Sequence, residues 1–219
     1  YEIGETISLS QPTKSGYVFS GWNVSGRRTS LNEDALTIGD ANASLTANFI
    51  AFADMYTYTG SSTIIDDTNG NWRIKFTNSG TYTFTPLLDM KIDAFLVGGG
   101  AGGSQGDPAI GGGGGYTASY SAINLTKNTP YSITVGSGGA ATLNGNSTTA
   151  FGYSANGGLS NGNGGSGGGR GGYGYIPGNG GSNGSNGYPN SYSQAGGTGQ
   201  GTTTKEFGET IGTLYSGGG

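Results

Sequence analysis

The residues whose spacing could do chemistry follow an apolar run. Ile92-Asp93-Ala94-Phe95-Leu96-Val97 leads into Gly98, Gly100 and Gly103, the G-x-G-x-x-G spacing by which a strand-to-helix turn cradles a pyrophosphate. That chemistry needs a helix next, because its N-terminal amides and dipole bind the anion. Ser104-Gln105-Gly106-Asp107-Pro108 and the five glycines from Gly111 cannot form one, and no second strand ending in an acidic residue follows at about 20 positions. The spacing therefore predicts no nucleotide site. Paired acids remain: Glu33-Asp34, Asp66-Asp67, and Glu206 with Glu209. Such pairs can serve acid–base catalysis or hold calcium, but neighbouring acids in loops are ordinarily just solvated, and no Asp-x-Asp-x-Asp-Gly loop accompanies them. The sequence has no histidine and no cysteine. The commonest general base, the commonest zinc ligand, thiolate nucleophiles and disulfides are all missing. The expectation is a protein that is not an enzyme, with no catalytic, cofactor-binding or metal-binding residues.

Recognition is the chemistry left open. Tyr173, Tyr175, Tyr188 and Tyr192 stand in the late glycine tracts. Each offers a flat apolar face and a hydroxyl at low entropic cost, which suits contact with sugars or proteins. These four are the candidate ligand-binding residues; the competing reading is that they cover the edges of a packed structure. The sequons at Asn23, Asn42, Asn124, Asn146 and Asn183 are matched by chance in a sequence so rich in Asn, Ser and Thr.

The elements that must position these residues are unusual. Of 219 residues, 49 are glycine, 32% are apolar and 10% charged, so no large aliphatic core can be assembled. Disordered proteins have high net charge and few aromatics, whereas this one has a net charge of −4 with 14 Tyr, 8 Phe and 2 Trp. Something folds, and aromatics help it. The acidic balance, with no basic cluster beyond Arg27-Arg28, leaves no electrostatic footprint for nucleic acid. No run approaches the roughly 20 apolar residues that span a bilayer, so no membrane insertion is expected. A start at Tyr1 without methionine, and an end inside a glycine run, predict a piece of a longer protein.

Residues 1–52 have ordinary composition and read as short strands at Glu5–Leu9, Tyr17–Trp22 and Ser44–Ile50, separated by turn residues. From 53 to 97 the sequence stays strand-like, with Asn69-Gly70-Asn71 and Asn78-Ser79-Gly80 as turns. Strand signals return over about 116–136. Only eight glycines precede residue 98; the rest fill tracts at about 98–115 and 136–219. Glycine falls on every third position from 162 to 174 and again from 178 to 187. That is the repeat of an extended helix of roughly three residues per turn. With few prolines and a broken phase, collagen does not fit. A bundle of short polyglycine-II helices does, with backbone hydrogen bonds between helices in place of a core of packed side chains.

Two stretches resemble known families. Tyr1…Gly4-Glu5…Leu9…Pro12…Gly16-Tyr17-Val18-Phe19-Ser20-Gly21-Trp22, closing with Leu45–Phe49, resembles the internalin-type B-repeat, a β-grasp-like module of Gram-positive surface proteins. From about residue 71 to the end, the sequence resembles the glycine-rich domain of phage tail fibres and bacterial surface proteins. That likeness rests on Gly80–Phe84, Phe95–Gly100, Gly111–Tyr116, Tyr131–Gly139 and Glu206–Glu209. It is also similar in kind to the glycine-rich extracellular region of anaplastic lymphoma kinase. The resemblances imply a mainly β protein: a repeat module over 1–52, then a jelly-roll-like antiparallel sandwich interleaved with a polyglycine-II bundle over 53–219. They imply an extracellular place, on a bacterial surface, secreted, or on a virion tail fibre. The partner would be a cell-surface glycan or protein, or further copies of the same protein in a homo-oligomeric scaffold.

Overall fold

The computed structural model describes residues 2–40, 42–68, 71–105, 109–165, 168, 178–180, 186–187, 205–209, 211 and 213–218. The fold is mainly β, with antiparallel strand pairs and no α-helix among the described residues. It divides into two compact units, one of residues 1–57 with 62–75 and one of 58–61 with 76–219.

In the first unit, β1 (Thr6–Ser8), β3 (Ser30–Asn32) and β4 (Ala35–Thr37) form a sheet in the order β1-β4-β3, while β2 (Tyr17–Ser25) pairs with β5 (Ser44–Ala51). The β2–β5 register sets Phe19 opposite Phe49 and Trp22 opposite Ala47, with an irregularity between Phe19 and Gly21. The extra residue turns Trp22 edge-on to Phe19, with ring centroids 5.1 Å apart. Beyond β5, Phe52, Met55 and Tyr56 are buried. They gather the hairpin of β7 (Thr63–Thr68) and β8 (Asn71–Lys75), whose Trp72 stacks on Tyr56 at 4.7 Å and lies 5.7 Å from Phe52. Residues 62–75 thus pack with the N-terminal strands. The sequence placed them with the glycine-rich part, because their strand-like composition matches either neighbour and only the partners of Trp72 tell the two apart.

The second unit is built on a five-stranded sheet in the order β14-β13-β12-β9-β6 and a two-stranded sheet of β10 and β11. Its strands are β6 (Tyr56–Tyr58), which leads in from the first unit, then β9 (Gly80–Pro86), β10 (Met90–Val97), β11 (Thr117–Leu125), β12 (Tyr131–Val135), β13 (Thr148–Ala150) and β14 (Tyr153–Ala155). Alternation supplies the core: Tyr82, Phe84 and Pro86 from β9, Ala94 and Leu96 from β10, Ile123 and Leu125 from β11, Ile133 from β12, and Ala150 and Ala155 from the last hairpin. The two sheets face each other where β10 and β11 meet β13 and β14. There the Thr148 hydroxyl donates to the Val97 carbonyl at 2.6 Å, and Tyr120 stacks on Tyr153 at 4.2 Å. Tyr82 is anchored by donating its hydroxyl to the Asn78 carbonyl at 2.6 Å, a backbone tie that β-sandwiches use at strand corners.

Two local devices close the sandwich. Phe151 (φ 53°) and Gly152 (φ 84°) form a two-residue turn with positive φ at both positions, the type I′ geometry that matches strand twist. The β10–β11 register shifts between Ile92 and Ala94, and the Asp93 carboxylate accepts the Ala122 backbone N–H at 2.8 Å inside the bulge. Ala122 has φ 58° there, a conformation alanine seldom takes. Replacing Asp93 by alanine leaves that N–H without its carboxylate and is expected to cost about 1–2 kcal/mol, read as a lower denaturation midpoint with an unchanged slope.

Candidate functional site

Strands β10, β12 and β14 run out into glycine tracts, and β11 and β13 are entered from them, so the sandwich clamps the tracts at one end. The tract 98–104 shows how they are held. Its amides at Gly98, Ala101 and Ser104 donate to the carbonyls of Tyr116, Gly113 and Ile110 at 2.9, 2.9 and 2.8 Å. Those at Gly99 and Gly102 donate to Asn146 and Leu143 at 2.9 and 3.0 Å. The carbonyls of Gly100 and Gly103 accept from Gly139 and Thr142 at 2.8 and 3.0 Å. Successive residues address three different neighbours and the pattern repeats every third residue, which is the signature of an extended three-fold helix with no hydrogen bonds inside it. The glycine-rich bundle expected from the sequence is therefore present in the described tracts.

Its centre is the run Gly112–Gly115, all buried. A Cβ added at Gly112 would overlap the Ala101 carbonyl, and one at Gly115 would overlap that of Gly98, three residues back on the same neighbour. At Gly113 it would meet the Asn163 carbonyl, and at Gly114 those of Ser216 and Gly217. The central tract touches other backbones on every side, so each of its positions must be glycine. Outer tracts need glycine only where they face inward: a Cβ at Gly100 meets nothing closer than 3.9 Å, and one at Gly138 nothing closer than 3.5 Å.

Asparagines close the turns between tracts. The side-chain oxygens of Asn144, Asn161, Asn163 and Asn186 accept the backbone N–H groups of Ser160, Asn163, Asn179 and Gly180 at 2.7 to 3.0 Å. The C-terminal stretch seals one flank, with Phe95 lying 6.2 Å from Phe207 and 5.5 Å from Tyr215. There the Tyr215 hydroxyl donates to Glu206 at 2.7 Å. Neither feature was read from the sequence beforehand. The recurring Asn-Gly pairs were a signal for the first; the second depends on where a distant segment returns, for which local sequence holds no sign.

The sequence candidates fall as follows. Tyr173, Tyr175, Tyr188 and Tyr192 lie outside the described residues. Gly98, Gly100 and Gly103 enter the extended tract rather than a strand-to-helix turn, and the amides of Gly98, Gly99, Ala101 and Gly102 are committed to neighbouring carbonyls. Glu33 (φ 54°) and Asp34 make the tight turn between β3 and β4, where the Asp34 side chain accepts from Gln11 at 2.9 Å. Asp66 lies on β7 opposite Trp72. Glu206 is bonded by Tyr215, and the Glu209 amide donates to the Glu206 carbonyl at 3.0 Å. The acid pairs thus lie on three different elements. Among the described residues, no three acidic side chains gather where a metal ion could be held. A shallow open groove of about 450 Å³ runs along Asp89, Met90, Lys91, Asn124, Leu125 and Thr126; the Asp89 carboxylate there already accepts the Lys127 amide at 2.7 Å.

A family model described as a glycine-rich domain matches residues 77–219. The chain belongs to that glycine-rich domain family. The match begins one residue after Phe76, where the second unit resumes, so the family covers the sandwich strands β9 to β14 and the tracts together. No curated protein and no solved structure matches the sequence.

The lattice predicts a position-specific pattern of tolerance. Gly112→Ala, Gly113→Ala and Gly158→Ala each drive a methyl into a backbone carbonyl and are expected to destabilise by more than about 3 kcal/mol. Gly100→Ala and Gly138→Ala are expected to stay within about 0.5 kcal/mol of the parent. Thermal denaturation of the five variants checks the contrast, and uniform sensitivity would refute the three-fold packing.

Proposed function

We propose that this protein is a non-catalytic structural and adhesive module of an extracellular fibre or cell-surface protein. In this reading residues 1–52 are an internalin-type repeat of a stalk, and the glycine-rich domain presents turns that attach to a cell-surface glycan or protein. One observation carries it: the centre of the bundle, Gly112–Gly115, is held by contacts of backbone with backbone. Apart from the asparagines that close them, the turns between tracts are thereby relieved of packing duty. A rigid support with turns free to vary in composition is what recognition surfaces are usually built on. The pairing of Tyr17–Trp22 with Ala47–Ala51 supports the repeat reading, since it joins the two segments that carry the resemblance. Tyr173, Tyr175, Tyr188 and Tyr192 are the proposed contact residues, on the chemistry of their rings.

Labelled protein is expected to bind a subset of bacterial cells or immobilised glycans saturably, and the variant with all four tyrosines changed to alanine to bind at least about tenfold more weakly, the loss of roughly 1.4 kcal/mol or more. Undiminished binding by a folded variant would remove the tyrosines from the site. A folded parent that binds nothing in the panel would replace adhesion by a spacer role.

A further inference from the structure

Asn-Gly pairs recur through the glycine tracts, and an Asn-Gly bond is the peptide linkage most prone to spontaneous rearrangement. The glycine nitrogen attacks the carboxamide carbon of the asparagine, and the unbranched glycine offers least hindrance. Six such pairs are described at both residues: those beginning at Asn144, Asn156, Asn161, Asn163, Asn179 and Asn186. In five, the attacking nitrogen is held by a hydrogen bond. Gly145 donates to Gly158, Gly162 to Leu159, Gly164 to Asn179 and Gly187 to Gly178, at 2.9 to 3.1 Å, and Gly180 donates to the Asn186 side chain at 2.8 Å. Gly157 is different: among the described residues its N–H has no acceptor. The residue before it, Asn156, is exposed to water, while Gly157 itself is buried.

We propose that Asn156-Gly157 is a selective site of spontaneous deamidation and isomerisation, and that its reaction unlocks the glycine bundle. When the tract opens locally, the Gly157 nitrogen, which has no hydrogen bond to break among the described residues, gives its proton to solvent base and bonds to Cγ of Asn156. The Cγ–Nδ2 bond breaks, and that nitrogen leaves as ammonia, taking up a proton. Water then opens the resulting succinimide at either carbonyl, leaving an aspartate or an isoaspartate whose backbone runs through the former side chain. No oxidant, metal or partner is needed. Holding the attacking group in place or away from its target governs such intramolecular steps, so the five bonded nitrogens react more slowly.

The position makes the product consequential. The Asn156 carbonyl accepts from Tyr116 at 2.8 Å, and the Gly158 amide donates to Gly99 at 2.9 Å. In the isoaspartate the carbonyl that bonded Tyr116 becomes a pendant carboxylate, and the backbone toward Gly158 is one carbon longer. The tract has no room to absorb it, since even a methyl at Gly157 or Gly158 would overlap the carbonyls of Gly145 or Gly113. Register on one side must break.

The intact protein, aged in mildly alkaline buffer and mapped by peptide mass spectrometry, is expected to convert Asn156 several-fold faster than Asn144, Asn161, Asn163, Asn179 or Asn186. In denaturant the Asn156 advantage should vanish. Equal rates in the folded protein, or the same ranking in the folded and unfolded protein, would overturn the site. Asn156→Ser keeps an exposed polar side chain and is expected to melt with the parent when fresh but to hold its melting temperature on ageing while the parent declines. Equal decline in both would overturn the unlocking. Neither result depends on whether the protein binds cells or glycans.

Discussion

Backbone carbonyls sit where a Cβ would have to be, and the second unit depends on that close approach. Around Gly112–Gly115, three neighbouring stretches of backbone, at 98–102, 162–163 and 216–217, crowd in, and the contact surface is peptide group against peptide group. Each N–H to carbonyl bond between tracts contributes only about 0.5–1.5 kcal/mol net, and glycine loses more conformational freedom on ordering than any other residue. A lattice of this kind is weak per residue. It holds because its bonds run to several neighbours at once, so no tract can leave without breaking contacts to the others.

The sandwich offsets the entropy of that ordering. Five strand ends open into or close out of the tracts on the same side, which holds the tract ends near one another and leaves short loops to close. Its own core is conventional, with Phe84, Leu125, Ile133 and Pro86 buried by alternation. The bulge at Asp93 and the tight turn at Phe151-Gly152 bend and close its strands. The C-terminal stretch adds the last piece by laying Phe207 and Tyr215 against Phe95 and bringing Ser216 to the centre of the bundle. Residues far apart in sequence thus finish one lattice, and the Asn156-Gly157 linkage lies within it between two of its bonds.

Much of this architecture was legible because period and composition are local. The alternation in Tyr82 and Phe84, and the runs at Ile92–Val97 and Tyr131–Val135, announced strands that the structure contains. The glycine-rich composition after residue 97 announced extended tracts rather than a linker, as 98–104 shows, while much of the three-residue spacing read over 162–187 falls outside the described residues. The hairpin 63–75 was less legible, since its placement rests on Trp72 finding Tyr56 and Phe52. The four candidate tyrosines lie outside the described residues, so their part in the protein rests on the chemistry of their rings and hydroxyls.

By itself, then, the sequence determined the β class, most of the longer strands, the glycine tracts and the lack of histidine and cysteine chemistry, because each follows from residue type or from spacing along the backbone. Tertiary structure alone decided which tract stands at the centre, which glycines are indispensable, where the C-terminal stretch returns and which Asn-Gly nitrogen is left without an acceptor among the described residues. Those depend on which backbones become neighbours. In a lattice built from near-identical glycine tracts, nothing in the side chains marks the partner in advance; the ends of the sandwich strands choose it.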